Sequence, residues 1–455
     1  MVIQTVNPAT GELVRKFEAL SSQQVDEHIQ RSADAFRVYR RSSYAERAAL
    51  LHAAADILDS ECDDLAKIAT LEMGKTFEAA KVEVRKCASG CRWYADHGAE
   101  MLADEPWPAE GPSVYTRYEP LGPILAVMPW NFPFWQVIRF AAPALMAGNT
   151  VLLKHASNVP QVALAIEDVL RRAGFAEGVF STLLISAAAV EGIIADRRVR
   201  GVTLTGSEEA GRSVGAAAGR HIKPSVLELG GADPFIVMPS ADLERAISAA
   251  ITSRTMNNGQ SCVNAKRFIV HADVVEDFVR RFSERMGALR VGDPMDSETD
   301  IGPLATGDAV QTLHRQVTGT IDAGAQVHTG GALLEREGYF YPPTVLTNIP
   351  NGSPGHLEEF FGPVALVWEA ADVDDAIRIA NDSPLGLGGS AWTSDPVEKQ
   401  RFVDEVETGM MYINDFTASI PSVPFGGTKD SGYGRELARF GAQTFTNPKT
   451  VWLAQ

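Results

Sequence analysis

The sequence predicts an α/β protein with two parallel-sheet units and a small separate β element. Three observations carry that prediction. Short apolar runs alternate with amphipathic segments from Ile124 to Thr205, the pattern of a parallel sheet with helices on its faces. The same rhythm resumes after Glu228 and continues to about Arg401, with Glu228-Leu229-Gly230-Gly231 as the break between the two units. The tail Thr444–Ala454 reads as a terminal strand, and Glu105–Pro123, rich in Pro, Gly, Tyr and Thr, reads as an extended hairpin.

Taken in order, Asn7-Pro8-Ala9-Thr10-Gly11-Glu12 is a turn between two short extended pieces. From Ser22 to about His97 apolar residues recur at spacings of three and four, so this stretch is helical, with Ser21 and Ser22 as its first capping candidates. The first α/β unit then offers strands at Ile124–Met128, Thr150–Lys154, Val179–Ile185 and Val202–Thr205, with helices near Trp135–Met146 and Gln161–Ala173. The second offers strands at Pro234–Val237 and Arg267–His271, with helices near Asp242–Met256 and Val274–Leu289. A terminal strand carrying Val451, Trp452 and Leu453 is an aggregation edge unless paired, so a partner subunit is expected to cover it.

At 455 residues, 45% hydrophobic and 22% charged, the chain can bury two or three cores, and its composition argues against disorder. A net charge of −17 argues against nucleic acid or an anionic membrane as partner. An anionic substrate therefore has to be held by local arginines. Met1–Pro8 has no basic region followed by an apolar stretch, and no apolar run approaches the ~18 residues of a membrane helix. Cys62, Cys87, Cys91 and Cys262 are too scattered for a disulfide framework, which fits a reducing cytoplasm. Cys87, Cys91 and His97 lack further ligands at usable spacing, so helix packing is the reading there and no metal is expected.

The chemistry centres on Asn257-Asn258-Gly259-Gln260-Ser261-Cys262-Val263-Asn264-Ala265-Lys266-Arg267. A thiolate nucleophile needs an anion-favouring pocket, and the polar, permissive flanks of Cys262 suit one. The stretch by itself is equally compatible with a buried cysteine acting as a small hydrophobe. Glu228 ends an apolar strand just before a glycine pair, where an apolar setting would raise its pKa into the range of a general base; a lone Glu is more often an ion-pair partner. Asn131 lies among Pro and aromatic residues in Met128–Trp135, where its amide could donate to an oxyanion or be incidental to an aromatic cluster. If the chain is helical from Phe134, Asn131, Trp135 and Arg139 share one face.

Together these motifs resemble the aldehyde dehydrogenase superfamily, over nearly the whole chain. The matching pieces are Pro129–Pro133, Gly148–Lys154, Thr205–Gly211, Glu228–Gly231, Gly259–Cys262, Glu359–Pro363 and Pro424–Gly427 with Ser431-Gly432. The resemblance implies a Rossmann-like dinucleotide-binding domain (residues 1–101 and 121–228) and an α/β catalytic domain (229–437). It also implies a β oligomerisation element (102–120 and 438–455) and a homodimer or homotetramer. It implies that Cys262 attacks an aldehyde, that Asn131 and the Cys262 N–H hold the oxyanion, and that Glu228 activates the water which hydrolyses the thioester. Lys154 and Glu359 would contact the two riboses of the cofactor, Phe361 the nicotinamide, and Gly206 and Ser207 the pyrophosphate at a helix start. Trp130 and Leu229 complete the implied cofactor set.

Two departures sharpen the expectation. Where NAD-preferring relatives carry an acidic residue three positions after the lysine, this chain has Ser157, which can donate to a 2′-phosphate that a carboxylate would repel. NADP is therefore the expected cofactor, with NAD weaker. Arg139 and Ser419 look like the carboxylate-binding residues of succinate-semialdehyde dehydrogenases, with Trp135 beside them as an aromatic wall. Their further arginine is replaced by Met256 here. The chain begins at the first family motif, as in a shorter bacterial subgroup of those enzymes. The resemblance leaves glutarate semialdehyde or an uncharged aldehyde as alternative substrates. Glu228 speaks against a CoA-acylating enzyme, and Cys262 with Glu228 against a silent scaffold.

Overall fold

The computed structural model describes residues 3–454. Ile3–Val6 and Leu13–Phe17 pair antiparallel across the predicted Asn-Pro turn. Four helices follow, Ser22–Tyr39, Tyr44–Ser60, Cys62–Met73 and Phe77–Met101. Ser21 caps the first of them in a capping box with Gln24, whereas Ser22 is already its first helical residue.

The first α/β unit is a six-stranded sheet in the order Gly432–Tyr433, Ser225–Glu228, Gly201–Thr205, Pro123–Met128, Thr150–His155, Phe180–Thr182. All neighbours are parallel except Gly432–Tyr433, which lies antiparallel on Ser225–Glu228. In chain order the five parallel strands run outward from Pro123–Met128 in one direction and then in the other, the doubly wound arrangement. The order reverses between Pro123–Met128 and Gly201–Thr205. A crevice outside the carboxyl ends of those strands is where such sheets bind ligands, and it opens onto Pro129-Trp130-Asn131 and Gly206-Ser207.

The second unit is a seven-stranded sheet in the order Gln326–Thr329, Thr344–Thr347, Val364–Ala370, Ala265–His271, Asp233–Val237, Gly388–Trp392, Met410–Ile413, parallel except for its first pair. Its central strands are buried throughout, as near-continuous apolar runs require. The third sheet pairs Glu105–Trp107 with Ser113–Pro120, and Ser113–Pro120 with Thr446–Leu453 over eight residues. The terminal strand therefore finds one partner in its own chain, and only its outer edge remains open.

Three expectations are adjusted. The strand expected at Val179–Ile185 is limited to Phe180–Thr182. The helix after Pro133 runs Trp135–Ala147, so Asn131 precedes it and does not share its face. Gly432–Tyr433, placed with the second unit by its position in the chain, adds to the edge of the first sheet. All four cysteines are free, with Cys87 and Cys91 buried in the Phe77–Met101 helix, and no helix among the described residues is long and apolar enough to cross a membrane.

Candidate active site

Cys262 lies in the loop between the helix Leu243–Thr255 and the strand Ala265–His271, half-buried between two cavities. That loop is built from buried polar groups. Asn257, Asn258 and Gly259 all adopt left-handed backbone, which Asn and Gly tolerate best. The Asn257 amide donates to the carbonyls of Asn131 (2.7 Å) and Gln260 (2.9 Å), and the Asn258 amide donates to those of Gly74 and Pro303 (both 2.9 Å). Buried Lys266 donates to the carbonyls of Ser261 and Cys262, each at 2.9 Å. The backbone around Cys262 is therefore fixed from several directions. Burial pushes the thiol up to about 11, partly offset by the charges of Arg139 and Lys266.

One cavity, of about 220 Å³, joins Cys262 to Trp130, Asn131, Gly206, Ser207, Leu229, Glu359 and Phe361. The Asn131 amide gives one hydrogen to the Gln260 carbonyl (3.2 Å), and an amide has a second to give. Ser207 caps the helix Glu208–Arg220, whose start faces this crevice. Glu359 Oε1 accepts from Lys266 (2.8 Å) and from the Gly231 N–H (3.2 Å), and Phe361 meets Trp130 edge-to-face. A Cβ at Gly230 would lie 2.5 Å from Glu359 Oε2, so a side chain there would displace that carboxylate.

A neighbouring cavity of about 290 Å³ holds Lys154 among Val127, Val190, Ile194, Leu204 and Val214. Lys154 makes no ion pair among the described residues, and burial holds its ammonium below the usual lysine range. The carboxylate at the rim, Glu191, is committed to Arg220 at 2.5 Å. An apolar slot beside an unpaired lysine, continued by a helix start and a carboxylate, fits a dinucleotide. Ser157 lies just beyond the Lys154 strand, half-buried, its carbonyl accepting from Gln4 N–H at 3.1 Å.

The second cavity at Cys262, about 80 Å³, is walled by Phe132, Trp135, Met256, Val263, Phe416 and Phe425, with Lys86 and Arg139 as its cations and Ser261, Thr417 and Ser419 as its hydroxyl groups. The Trp135 indole N–H donates to Ser419 Oγ at 2.8 Å. Arg139 lies over the Phe425 ring and ion-pairs with Glu436, and its guanidinium also reaches Thr205 Oγ1.

Glu228 lines neither cavity at Cys262. Its carboxyl is buried against Gly426 with both oxygens lacking a hydrogen-bond partner. Burial raises its pKa well above the usual range, and the Glu436 charge raises it further, while Arg139 and Arg435 oppose the shift. Glu436, Lys266, Asn257 and Lys86 were not anticipated from the sequence. Of these only Asn257, in its polar Asn-Asn-Gly turn, carried a local signal.

A dinucleotide-binding dehydrogenase is the class this fold and these cavities fit. The family model described as "Aldehyde dehydrogenase family" matches residues 1–451, and the chain belongs to that family. It is 56% identical over 457 residues, with full coverage of both chains, to succinate-semialdehyde dehydrogenase [NADP(+)] 1 of Mycobacterium tuberculosis (strain H37Rv). The protein of the same name from Mycobacterium ulcerans is 57% identical, again at full coverage. Among solved structures, succinic semialdehyde dehydrogenase from Streptococcus pyogenes in complex with NADP+ superposes with a TM-score of 0.97 at 37% identity, covering all of both chains.

Proposed function

We propose that the chain oxidises succinate semialdehyde to succinate with NADP as hydride acceptor. The observation that carries the reading is the pair of cavities meeting at Cys262, one fit for a dinucleotide and one narrow, aromatic and cationic. Full-length likeness to NADP-dependent succinate-semialdehyde dehydrogenases supports it.

In this reading Trp130, Lys154, Ser157, Gly206, Ser207, Leu229, Glu359 and Phe361 hold the nucleotide. Ser157 and the unpaired Lys154 favour a 2′-phosphate. The nicotinamide, when bound, takes the aldehyde hydrogen as hydride. The Cys262 thiolate first forms a bond to the aldehyde carbon, and the Asn131 amide and the Cys262 N–H stabilise the resulting oxyanion. After oxidation the same carbon is a thioester. Glu228 then takes a proton from water, the hydroxide attacks, and the C–S bond breaks to release the acid. The buried setting of Glu228, beside the Glu436 carboxylate, raises its pKa as a base near neutral pH requires, and a side-chain turn toward the cleft would bring it to the thioester. The distal carboxylate lies at the Arg139–Ser419 end of the aromatic cavity.

The test is initial-rate reduction of NADP and of NAD with succinate semialdehyde and with butanal. The expected result is faster turnover with NADP and the acid semialdehyde, and none for Cys262→Ala. Preference for NAD by tenfold or more removes the cofactor assignment, and preference for butanal removes the substrate.

A further inference from the structure

Two cations line the aromatic cavity, Arg139 and Lys86, and they differ in what already surrounds them. Arg139 is ion-paired with Glu436 and flanked by Glu228, so its charge is largely spent inside the protein. Lys86 projects from the helix Phe77–Met101 and makes no hydrogen bond or ion pair among the described residues. Its ammonium lies over the Trp135 ring at 4.6 Å, an attraction that orients it without neutralising it. The same indole donates its N–H to Ser419 Oγ. Because that oxygen already accepts from Trp135, the Ser419 hydroxyl hydrogen is free to point into the cavity. One aromatic side chain thus sets an unpaired ammonium and an unspent hydroxyl on the same cavity. Lys86 is half-buried, and a partly desolvated, unpaired cation is relieved by an anionic ligand.

We propose that Lys86 supplies the uncompensated positive charge that binds the substrate's distal carboxylate, with the Ser419 hydroxyl as second donor and Arg139, already paired with Glu436, beside them. The proposal rests on the acid-semialdehyde reading above and names the residue that sets it. It also accounts for how a cavity with Met256 in place of a further arginine still recognises an anion.

Burial, reinforced by the Arg139 charge, brings the Lys86 ammonium down to about 8. The groups facing it are Arg139 from the helix Trp135–Ala147, Cys262 from its loop, and Cys87 and Glu83 on its own helix, with Glu228 and Glu436 behind Arg139. Glu83 is committed to Lys75 and to the N–H groups of Phe134 and Trp135, so it does not pair with Lys86. The ammonium is charged below pH about 8 and lost above it. Affinity for a carboxylated aldehyde therefore weakens as pH climbs through that value, while affinity for a neutral aldehyde does not follow.

Lys86→Met keeps the alkyl stem on Trp135 and removes the charge; Lys86→Arg restores the charge and controls for folding. The expected result is a rise in KM for succinate semialdehyde of roughly 10- to 100-fold in Lys86→Met, the loss of one charge-assisted hydrogen bond. The KM for butanal stays within about twofold, since no charge is bound there. Calorimetric binding of succinate to the nucleotide-free enzyme weakens in parallel, and Lys86→Arg recovers most of it. The ratio of the two KM values rises above pH about 8 in the wild type and is flat in Lys86→Met. Equal changes for both aldehydes, or an unchanged KM for the acid in a wild type that prefers it, overturn the proposal and leave the functional reading standing. A wild type indifferent to the carboxylate overturns both.

Discussion

Cys262 and Glu228 both lie where burial disfavours their charged forms, which raises the pKa of each. For Glu228 the second contribution is Glu436, a carboxylate that also lies against Arg139. A base with a raised pKa is protonated below that value and competent above it, so a hydrolysis-limited kcat rises with pH through it. Glu436→Gln removes the like charge and leaves Arg139 unshared, and both changes lower the Glu228 pKa. The acid limb of kcat is expected to move to lower pH in this variant, read from a pH–rate profile; an unmoved limb removes Glu436 from the coupling. Cys262, Glu228 and Asn131 could be nominated from the sequence because Gly, Pro or aromatic residues flank each, although only the set of motifs together pointed to a shared chemistry. Glu436 and Lys86 were not, since each belongs to an unremarkable local pattern and acquires meaning only through residues far away in the chain.

Elements explain why one geometric expectation failed. Asn131, Trp135 and Arg139 have helical spacing, but Pro133 disfavours helical backbone at Phe132, so Asn131 is cut off from the helix, which starts at Trp135. Its first N–H groups are instead capped from another helix, where Glu83 accepts from Phe134 at 2.8 Å and Trp135 at 2.9 Å. Lys75, fully buried, balances that carboxylate. No local signal announces a cap delivered from a helix fifty residues upstream. The loop before Cys262 shows the opposite case, a conformation the sequence does announce. Gly259 has φ +76°, and a Cβ there would lie 2.3 Å from the Gly362 carbonyl carbon. Gly259→Ala must therefore push the Glu359–Gly362 segment away from the loop. The expected outcome is a loss of about 1–3 kcal/mol of stability, as for other strained backbone sites. Weaker nucleotide binding should accompany it, measured by thermal unfolding and fluorescence titration with NADP. Unchanged nucleotide affinity would detach Glu359 and Phe361 from the cofactor role.

At the scale of the whole molecule, the alternation of strands and helices was legible, because two-sided burial demands apolar strands and short connections. The return of Gly432–Tyr433 to the first sheet was not, because two residues pairing across some two hundred positions leave no periodic trace. Yet that return delivers Glu436 to Arg139 and closes the site. The terminal strand poses the remaining whole-molecule question. Thr446–Leu453 is paired on one side by Ser113–Pro120 and open on the other, with Trp452 63% and Leu453 52% exposed. An open edge carrying large apolar side chains on a chain of net charge −17 is expected to be covered by a second copy, since general self-repulsion has to be overcome by a local apolar and backbone contact. Replacing Trp452 and Leu453 together with Asp puts charge on that edge. Sedimentation is expected to shift from a dimer or tetramer to a smaller species, with circular dichroism unchanged because the inner pairing with Ser113–Pro120 is left intact. If the variant sediments as the wild type does, the assembly uses another surface and this edge is simply solvated.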